Sequence, residues 1–309
     1  MIFTTLRYFN EAARLSSIRK AGENMNVAPS SISRQIVVLE NQFGTNLFDR
    51  SANGITLTHA GKLVHDFARR VLLDYDSLRA DIDDLRGVGR TMIRIAAIES
   101  LAAGPPLVAL QATRPRFPNA SFRILTLTAS DVEQAVKAGT CDLGVTLNPA
   151  PDPELRFVCE INETLVLAVS PSHSLAGRAS ITMTDLVDLD LAIHETGYGV
   201  RRLIDLAFRA HGFAVSPLLS SSSLHVLKSF AVEGLGGAII TRGAASGPAL
   251  QGQLTLVPIT EPMLDQGRIT LIMRNDRRIS RALRHYIEEV EKALHEGDER
   301  RTQETARGI

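Results

Sequence analysis

The chain has 309 residues, with 34 Lys and Arg balancing 34 Asp and Glu, and hydrophobic residues make up 44% of it. That length suggests two or three domains at about 100–200 residues each, and the composition excludes a disordered or fibrous chain. A net charge of zero excludes a uniformly basic nucleic-acid protein, and two Cys argue against a disulfide-stapled secreted fold. The start shows no charged segment leading into an apolar stretch, and no run of about 18 apolar residues occurs. The expectation is a cytoplasmic protein with no membrane partner.

The charge is unevenly spread. Residues 1–70 hold nine basic and five acidic side chains, a net +4, so the rest carries −4. In this head Leu6, Phe9, Ala12 and Ala13 share one face of a first helix. Ser16-Ser17 offers N-cap chemistry for a second, whose Ile18, Ala21 and Met25 face inward. Pro29 suits the first turn of a third, where a missing N–H costs nothing. Ile32, Ile36 and Leu39 form its apolar stripe, and the opposite face centres on Ser30 and Arg34, flanked by Ser31 and Ser33. The segments 47–50 and 55–58 flank an Asn53-Gly54 turn and predict a two-stranded wing. Thr58 can cap a long helix over about 59–86. Its stripe of Leu63, Phe67, Val71, Tyr75, Leu78, Ile82 and Leu85 predicts burial against another chain. Gly87-Val88-Gly89-Arg90 reads as the linker.

After residue 90 strands and helices alternate, which predicts parallel sheets covered by helices. Strands are expected at 93–98, 121–128, 143–147, 164–169, 191–194, near 218, at 238–241 and at 268–273. Helices are expected at 101–113, 130–138, near 183–187, near 200–211, at 223–232 and at 280–294, with a polar tail after Glu296.

Three helices, a polar-faced third helix and a wing describe a helix-turn-helix reader of DNA. Leu6-Arg7-Tyr8-Phe9, Ser17 to Ala21, Val27 to Gln35, Leu39-Glu40, Leu47-Phe48-Asp49-Arg50 and Leu57-Thr58-His59-Ala60-Gly61 resemble the N-terminal signature of LysR-type transcriptional regulators. The match is dense over residues 1–61 and loose thereafter. Gly139 to Val145 and Glu233 to Ile239 are similar to runs of that family's effector module. The resemblance implies an α+α/β fold: an N-terminal winged helix-turn-helix over 1–58, a linker and dimerisation helix with hinge over 59–90, and an effector-binding domain over 91–309. That domain resembles periplasmic binding proteins, with subdomain I at 91–162 and 268–309 and subdomain II at 163–267. It also implies a dimer or tetramer on an interrupted inverted repeat of double-stranded DNA, with RNA polymerase as a further partner.

The candidate DNA-binding residues are Ser17, Arg19, Lys20, Pro29, Ser30, Ser31, Ser33, Arg34 and Arg50. Hydroxyls and a guanidinium in the first turns of a helix suit base edges and phosphates. Arg50, at the mouth of the wing, would reach backbone or minor groove. Surface ion pairs are the alternative for Arg34 and Arg50, and a solvated helix start for Ser17, Arg19 and Lys20. The chain departs from the family at Ala28 and Pro29, where members often carry Ser and Gln. Ala28 cannot cap by its side chain, and Pro29 cannot hydrogen-bond a base.

Ligands of such α/β modules sit at strand C-termini near helix N-termini. Those positions give the candidate effector-binding residues Glu99, Ser100, Thr128, Thr196, Ser221 and Ser222. Hydroxyls and N–H groups suit a carboxylate or another small anion, with ordinary N-capping as the alternative, and the effector expected is a carboxylate or an amino acid. Glu99 is at odds with an anion and would meet an amino-acid ammonium or solvent. The glycines of 234–237 form neither a P-loop nor a dinucleotide fingerprint, and no GxSxG or HExxH pattern occurs. The expectation is no catalytic residue, no cofactor and no metal. Cys141 and Cys159 are either buried structural thiols or a redox-sensing pair.

Overall fold

The computed structural model describes residues 2–51, 54–85, 91–245, 252–276 and 279–307. Contacts divide the chain into two units, one of residues 1–89 with 276–280 and one of residues 90–275 with 281–309. The first unit begins with α1 (Ile2–Leu15), α2 (Ile18–Met25) and α3 (Pro29–Phe43), whose Leu6, Phe9, Ala12, Ala21, Ile32 and Ile36 close one core. The Ser17 hydroxyl accepts from the Lys20 N–H at 3.3 Å and starts α2. Asn26 ends it in a left-handed conformation (φ 53°), its N–H reaching the carbonyls of Glu23 and Gly22. A Cβ at Gly22 would lie 2.8 Å from the Val27 oxygen, so only glycine allows this close turn. Pro29 occupies the first turn of α3, and Ala28 supplies no side-chain cap. The wing pairs β1 (Phe48–Ser51) with β2 (Gly54–Leu57), Phe48 opposite Leu57 and Arg50 opposite Ile55. Ala52 and Asn53, the middle of the expected turn, lie outside the described residues.

Thr58 accepts from the Gly61 N–H at 2.9 Å and opens α4 (His59–Leu85). The expected stripe is one of two apolar faces, and the second was not foreseen. Val64, Ala68 and Leu72 are buried in the head's own core, whereas Leu63 (63% exposed) and Phe67 (48%) face outward with Leu78 and Ile82. Tyr75 packs its ring 4.4 Å from that of Phe3. The side chain of Leu85 and the linker at 87–90 lie outside the described residues.

The second unit holds two five-stranded sheets. The first is built from β3 (Met92–Ala97), β4 (Ser121–Thr126), β5 (Leu143–Leu147), β6 (Leu155–Glu163) and the late strand β12 (Gly267–Arg274), in the order β4-β3-β5-β12-β6. Helices α5 (Glu99–Ala102), α6 (Pro105–Thr113) and α7 (Ala129–Lys137) lie between its early strands in the chain, and α12 (Arg281–Arg307) packs on α6 and β6. The second sheet takes β7 (Leu165–Val169), β8 (Leu191–His194), β9 (Leu219–Ser221), β10 (Gly237–Thr241) and β11 (Thr255–Pro258), in the order β11-β7-β10-β8-β9. Between them run α8 (Met183–Val187), α9 (Gly199–Ala210), α10 (Leu224–Val232) and α11 (Arg242–Ala245), and a 3-10 turn at Pro262–Asp265 leads out. The sheet centres are dry: every residue of β5, β7 and β10 is buried.

Several expectations are corrected here. The sheets are mixed, not parallel: β12 runs antiparallel to β5 and β6, and β7 antiparallel to β10 and β11. Strands β7 and β12 are reached directly from the other sheet, without the helical crossover that enforces parallel pairing. The helix expected over 101–113 is two helices, broken at Gly104 before two prolines. The helix expected to end at 294 runs to Arg307, through a stretch rich in Glu and Arg, which favour helix. Finally, β6 and β12 are neighbours whose register pairs Glu163 with Gly267. A Cβ at Gly267 would stand 2.2 Å from the Glu163 oxygen, so the strands meet there with no room for a side chain.

Candidate functional site

The head displays its polar groups on the start of α2, the start of α3 and the wing. Pro29, Ser30, Ser31 and Arg34 are exposed on α3, and Ser33 is half-buried. Arg34 has no ion-pair or hydrogen-bond partner among the described residues. Lys20 is exposed, whereas Arg19 stands 3.7 Å from Glu23 across one turn, both well exposed. Ser17 spends its hydroxyl on capping. Arg50 lies 4.0 Å from Glu40. Sequence reasoning gave Glu40 no role of its own. Its Oε1 accepts from the N–H groups of Leu47 (2.9 Å) and Phe48 (3.3 Å), fixing the wing's entry to α3 while its Oε2 faces Arg50. The hint was an acid following an apolar stripe position, Leu39. The surface left facing outward is hydroxyl-rich and cationic, which suits phosphates and base edges in a groove.

The second unit holds a narrow cavity at the C-terminal ends of strands of both sheets. Its polar wall is Glu99, Ser100, His194 and Tyr198, and Ile98, Leu127, Leu147, Val200 and Leu224 supply apolar surface. Glu99 begins α5 after β3, and its Oε2 accepts from the Leu224 N–H at 2.8 Å, at the start of α10 beside the other sheet. His194 ends β8, is buried, and stacks on Tyr198 with ring centroids 4.8 Å apart. Burial pushes the His194 pKa down, against the opposing pull of Glu99 and the Ser221 backbone. Burial raises the Tyr198 phenol, and Glu99, Glu195 and Asp131 add to the effect.

Of the six residues predicted for the effector, the cavity brings together Glu99 and Ser100. Thr128 caps α7, with its hydroxyl 2.8 Å from an Asp131 oxygen, and stands outside the wall. Thr196 is exposed in the turn before α9, Ser221 accepts from the Ser223 N–H at 3.1 Å, and Ser222 hydrogen-bonds Tyr198. Sequence reasoning missed His194, Tyr198 and Leu224 as wall residues. The signal available was the His194-Glu195-Thr196-Gly197-Tyr198 turn between a strand and a helix.

A wider cavity of about 470 Å³ adjoins the far side of Glu99, bordered by Pro105, Val108, Lys228, Ile269 and Leu294. The Lys228 ammonium there donates to the Ala244 carbonyl at 3.0 Å, and burial lowers its pKa while Glu99 opposes the change. Cys141 is buried and Cys159 half-buried, and burial, aided by Glu291, pushes the Cys159 thiol up to about 11. Burial likewise raises Cys141. Such thiols are poor nucleophiles at neutral pH. No group of three His, Cys, Asp or Glu among the described residues could hold a metal ion, and no described helix is long and apolar enough to cross a membrane.

A winged helix-turn-helix joined to a two-sheet module with a ligand cleft defines a DNA-binding regulator that senses a small molecule. Residues 3–62 match the bacterial regulatory helix-turn-helix family of LysR type, and residues 86–295 match the LysR substrate binding domain. The chain belongs to the LysR-type transcriptional regulators, a family of DNA-binding proteins that bind small-molecule effectors in the second domain. The HTH-type transcriptional regulator BbuR of Bordetella bronchiseptica is 26% identical over 282 residues, covering 91% of this chain and 85% of that protein. The RuBisCO operon transcriptional regulator of Allochromatium vinosum is 24% identical, covering 76% of this chain and 78% of that one. In fold, the chain is similar to a full-length OxyR variant from Pseudomonas aeruginosa, with a TM-score of 0.68 at 20% identity, covering 95% of this chain and 94% of that one.

Proposed function

We propose that this chain is a cytoplasmic regulator, without catalytic activity, that reads an interrupted inverted repeat with two copies of α3 and switches when a small carboxylate or amino acid enters the cleft between the sheets. The outward side chains of α4, Leu63 and Phe67 foremost, suit pairing of two chains, since apolar groups this exposed gain from burial against a copy. Exposed Leu107 and Val108 on α6 and Val226 on α10 suit a second association, giving a tetramer. Ligand-driven movement of the two sheets then alters the spacing of the heads and their contact with RNA polymerase.

The observation that carries the DNA reading is the exposed face of Ser30, Ser31 and Arg34 on α3, with Arg34 unpartnered among the described residues. In this reading Pro29 and Ser33 flank the contact, Arg50 reaches backbone or minor groove, and Lys20 and Arg19 meet phosphates. Arg34→Ala should weaken binding to operator DNA by about 1–3 kcal/mol in a mobility-shift titration, with folding unchanged by circular dichroism. Unaltered operator affinity in a folded variant would count against this face.

A further inference from the structure

We propose that the cavity beside Glu99 recognises its ligand through a protonated amine, with the Glu99 carboxylate as counter-ion and selecting residue. The proposal rests on the reading of this cleft as an effector site and names the chemistry that the site selects.

Two helices that could greet an anion here are already neutralised by the chain's own carboxylates. At α7 the Thr128 hydroxyl accepts from the Asp131 N–H at 3.3 Å and lies 2.8 Å from the Asp131 carboxylate, so the first turn carries its own negative charge. At α10 the Leu224 N–H donates to Glu99 at 2.8 Å. Ser223, the residue before α10, makes no side-chain cap, so Glu99 serves in its place. An incoming carboxylate would meet like charge at both ends. A helix N-terminus that already holds a carboxylate of the chain has less attraction left for an incoming anion.

Glu99 itself lacks a counter-ion. Its bond to Leu224 uses one oxygen, and among the described residues no cation stands within 4 Å of the other. Lys228, the cation whose field it feels, borders the wider cavity and is bound to the Ala244 carbonyl. A half-buried carboxylate gains most from a partner that brings positive charge and N–H donors together. The other polar residues of the wall suit that partner. His194 is only 7% exposed, and its Nδ1 has no hydrogen-bond partner among the described residues. Burial favours the neutral ring, and in its Nε2–H tautomer Nδ1 offers a lone pair. Its stack with Tyr198, 9° from parallel, adds an aromatic face of the kind that attracts cations. Glu195 and Asp131 reinforce the negative potential around the phenol.

The cavity is small, about 40 Å³, which admits an ammonium-sized group and makes a larger ligand part the sheets. Since the Glu99–Leu224 bond spans both sheets, a ligand drawn to Glu99 acts on the contact that closes them. Gly199 and Val200 also border the cavity, at the start of α9, a helix without a side-chain cap. A ligand bearing a carboxylate besides its amine has amide N–H groups to meet there.

Three matched probes test the assignment on the full-length protein: L-norvaline, n-butylamine, which lacks its carboxylate, and pentanoate, which lacks its amine. The expected result, by calorimetric titration and thermal shift, is binding of norvaline and butylamine without pentanoate. Glu99→Gln keeps an oxygen for the Leu224 N–H and removes the charge. It should weaken amine binding on the order of tenfold to a hundredfold. Selectivity in the unaltered chain is read without any substitution. Failure of both amines, or amine affinity unchanged in Glu99→Gln, overturns the proposal. Binding of pentanoate alone overturns the Glu99 assignment and leaves the cleft as an effector site. A broad metabolite panel in which nothing shifts the melting temperature overturns the effector reading itself.

Discussion

Glu261 is buried where the chain leaves the second sheet, and it illustrates how a single carboxylate ties elements together. Its Oε2 meets His211 Nε2 at 2.6 Å and its Oε1 accepts from the Met263 N–H at 3.1 Å, joining the end of α9 to the 3-10 turn. Burial pushes its carboxyl up, and the Met263 amide and His211 together outweigh that, leaving it below the ordinary value. A carboxyl depressed in the folded state adds stability that is present above its unfolded pKa and is lost as pH falls through the folded one. Glu261→Gln should therefore cost about 1–3 kcal/mol at pH 7 in urea unfolding, with the gap to wild type closing below about pH 4. A gap independent of pH would show that the charge contributes nothing. At this scale the sequence was legible where a residue acts on its neighbours in the chain. Ser17, Pro29 and Thr58 stand at helix starts as read. Glu99 was recognised as unsuited to an anion, yet its partner Leu224 lies 125 positions away, and no local pattern encodes such a pairing.

Among the elements, α4 serves two surfaces. Its inner face of Val64, Ala68 and Leu72 belongs to the head core, and its outer face of Leu63 and Phe67 is open. Substitutions on the two faces should separate. Leu72→Ala should destabilise the head by about 2–5 kcal/mol in thermal or urea unfolding. Leu63→Glu with Phe67→Glu should leave that stability within about 0.5 kcal/mol while lowering the mass seen by light scattering. An unchanged mass would contradict a pairing role. The outer stripe was visible from spacing alone, but the inner face was not, since Val64, Ala68 and Leu72 repeat at the same spacing one position along. Strand β6 escaped for a different reason. Its pairing with β12 shifts between Leu271 and Ile272, which sit opposite Cys159 and Phe157 and leave Val158 over. That slip breaks the alternation by which a strand announces itself.

Taken whole, the molecule has a balanced charge that conceals a division of labour. The first 70 residues carry +4 and the remainder −4. Two heads engaging phosphates through Arg19, Lys20, Arg34 and Arg50 would release about eight counterions. The logarithm of operator affinity should then fall against the logarithm of salt with a slope of about −7. Salt-independent binding would argue against the head as the DNA contact. The alternating order of strands and helices made the α/β body legible, whereas its mixed direction depended on where the chain crosses between sheets.

The register of β6 with β12 has a consequence for how such a molecule diversifies. Glu163 and Gly267 are directly opposite one another, about 5 Å apart as strand partners are. The two strands therefore form a hairpin whose loop is an entire folded sheet with its helices. Closing a loop costs entropy only while its ends are free, and here the inserted fold holds its own ends together. The receiving sheet thus depends on the loop only through contacts such as the bond from the Leu224 N–H to Glu99. One wall of the cleft can be lengthened, reshaped or exchanged while the other keeps its scaffold, so the range of metabolites sensed can drift without disturbing the half that stays.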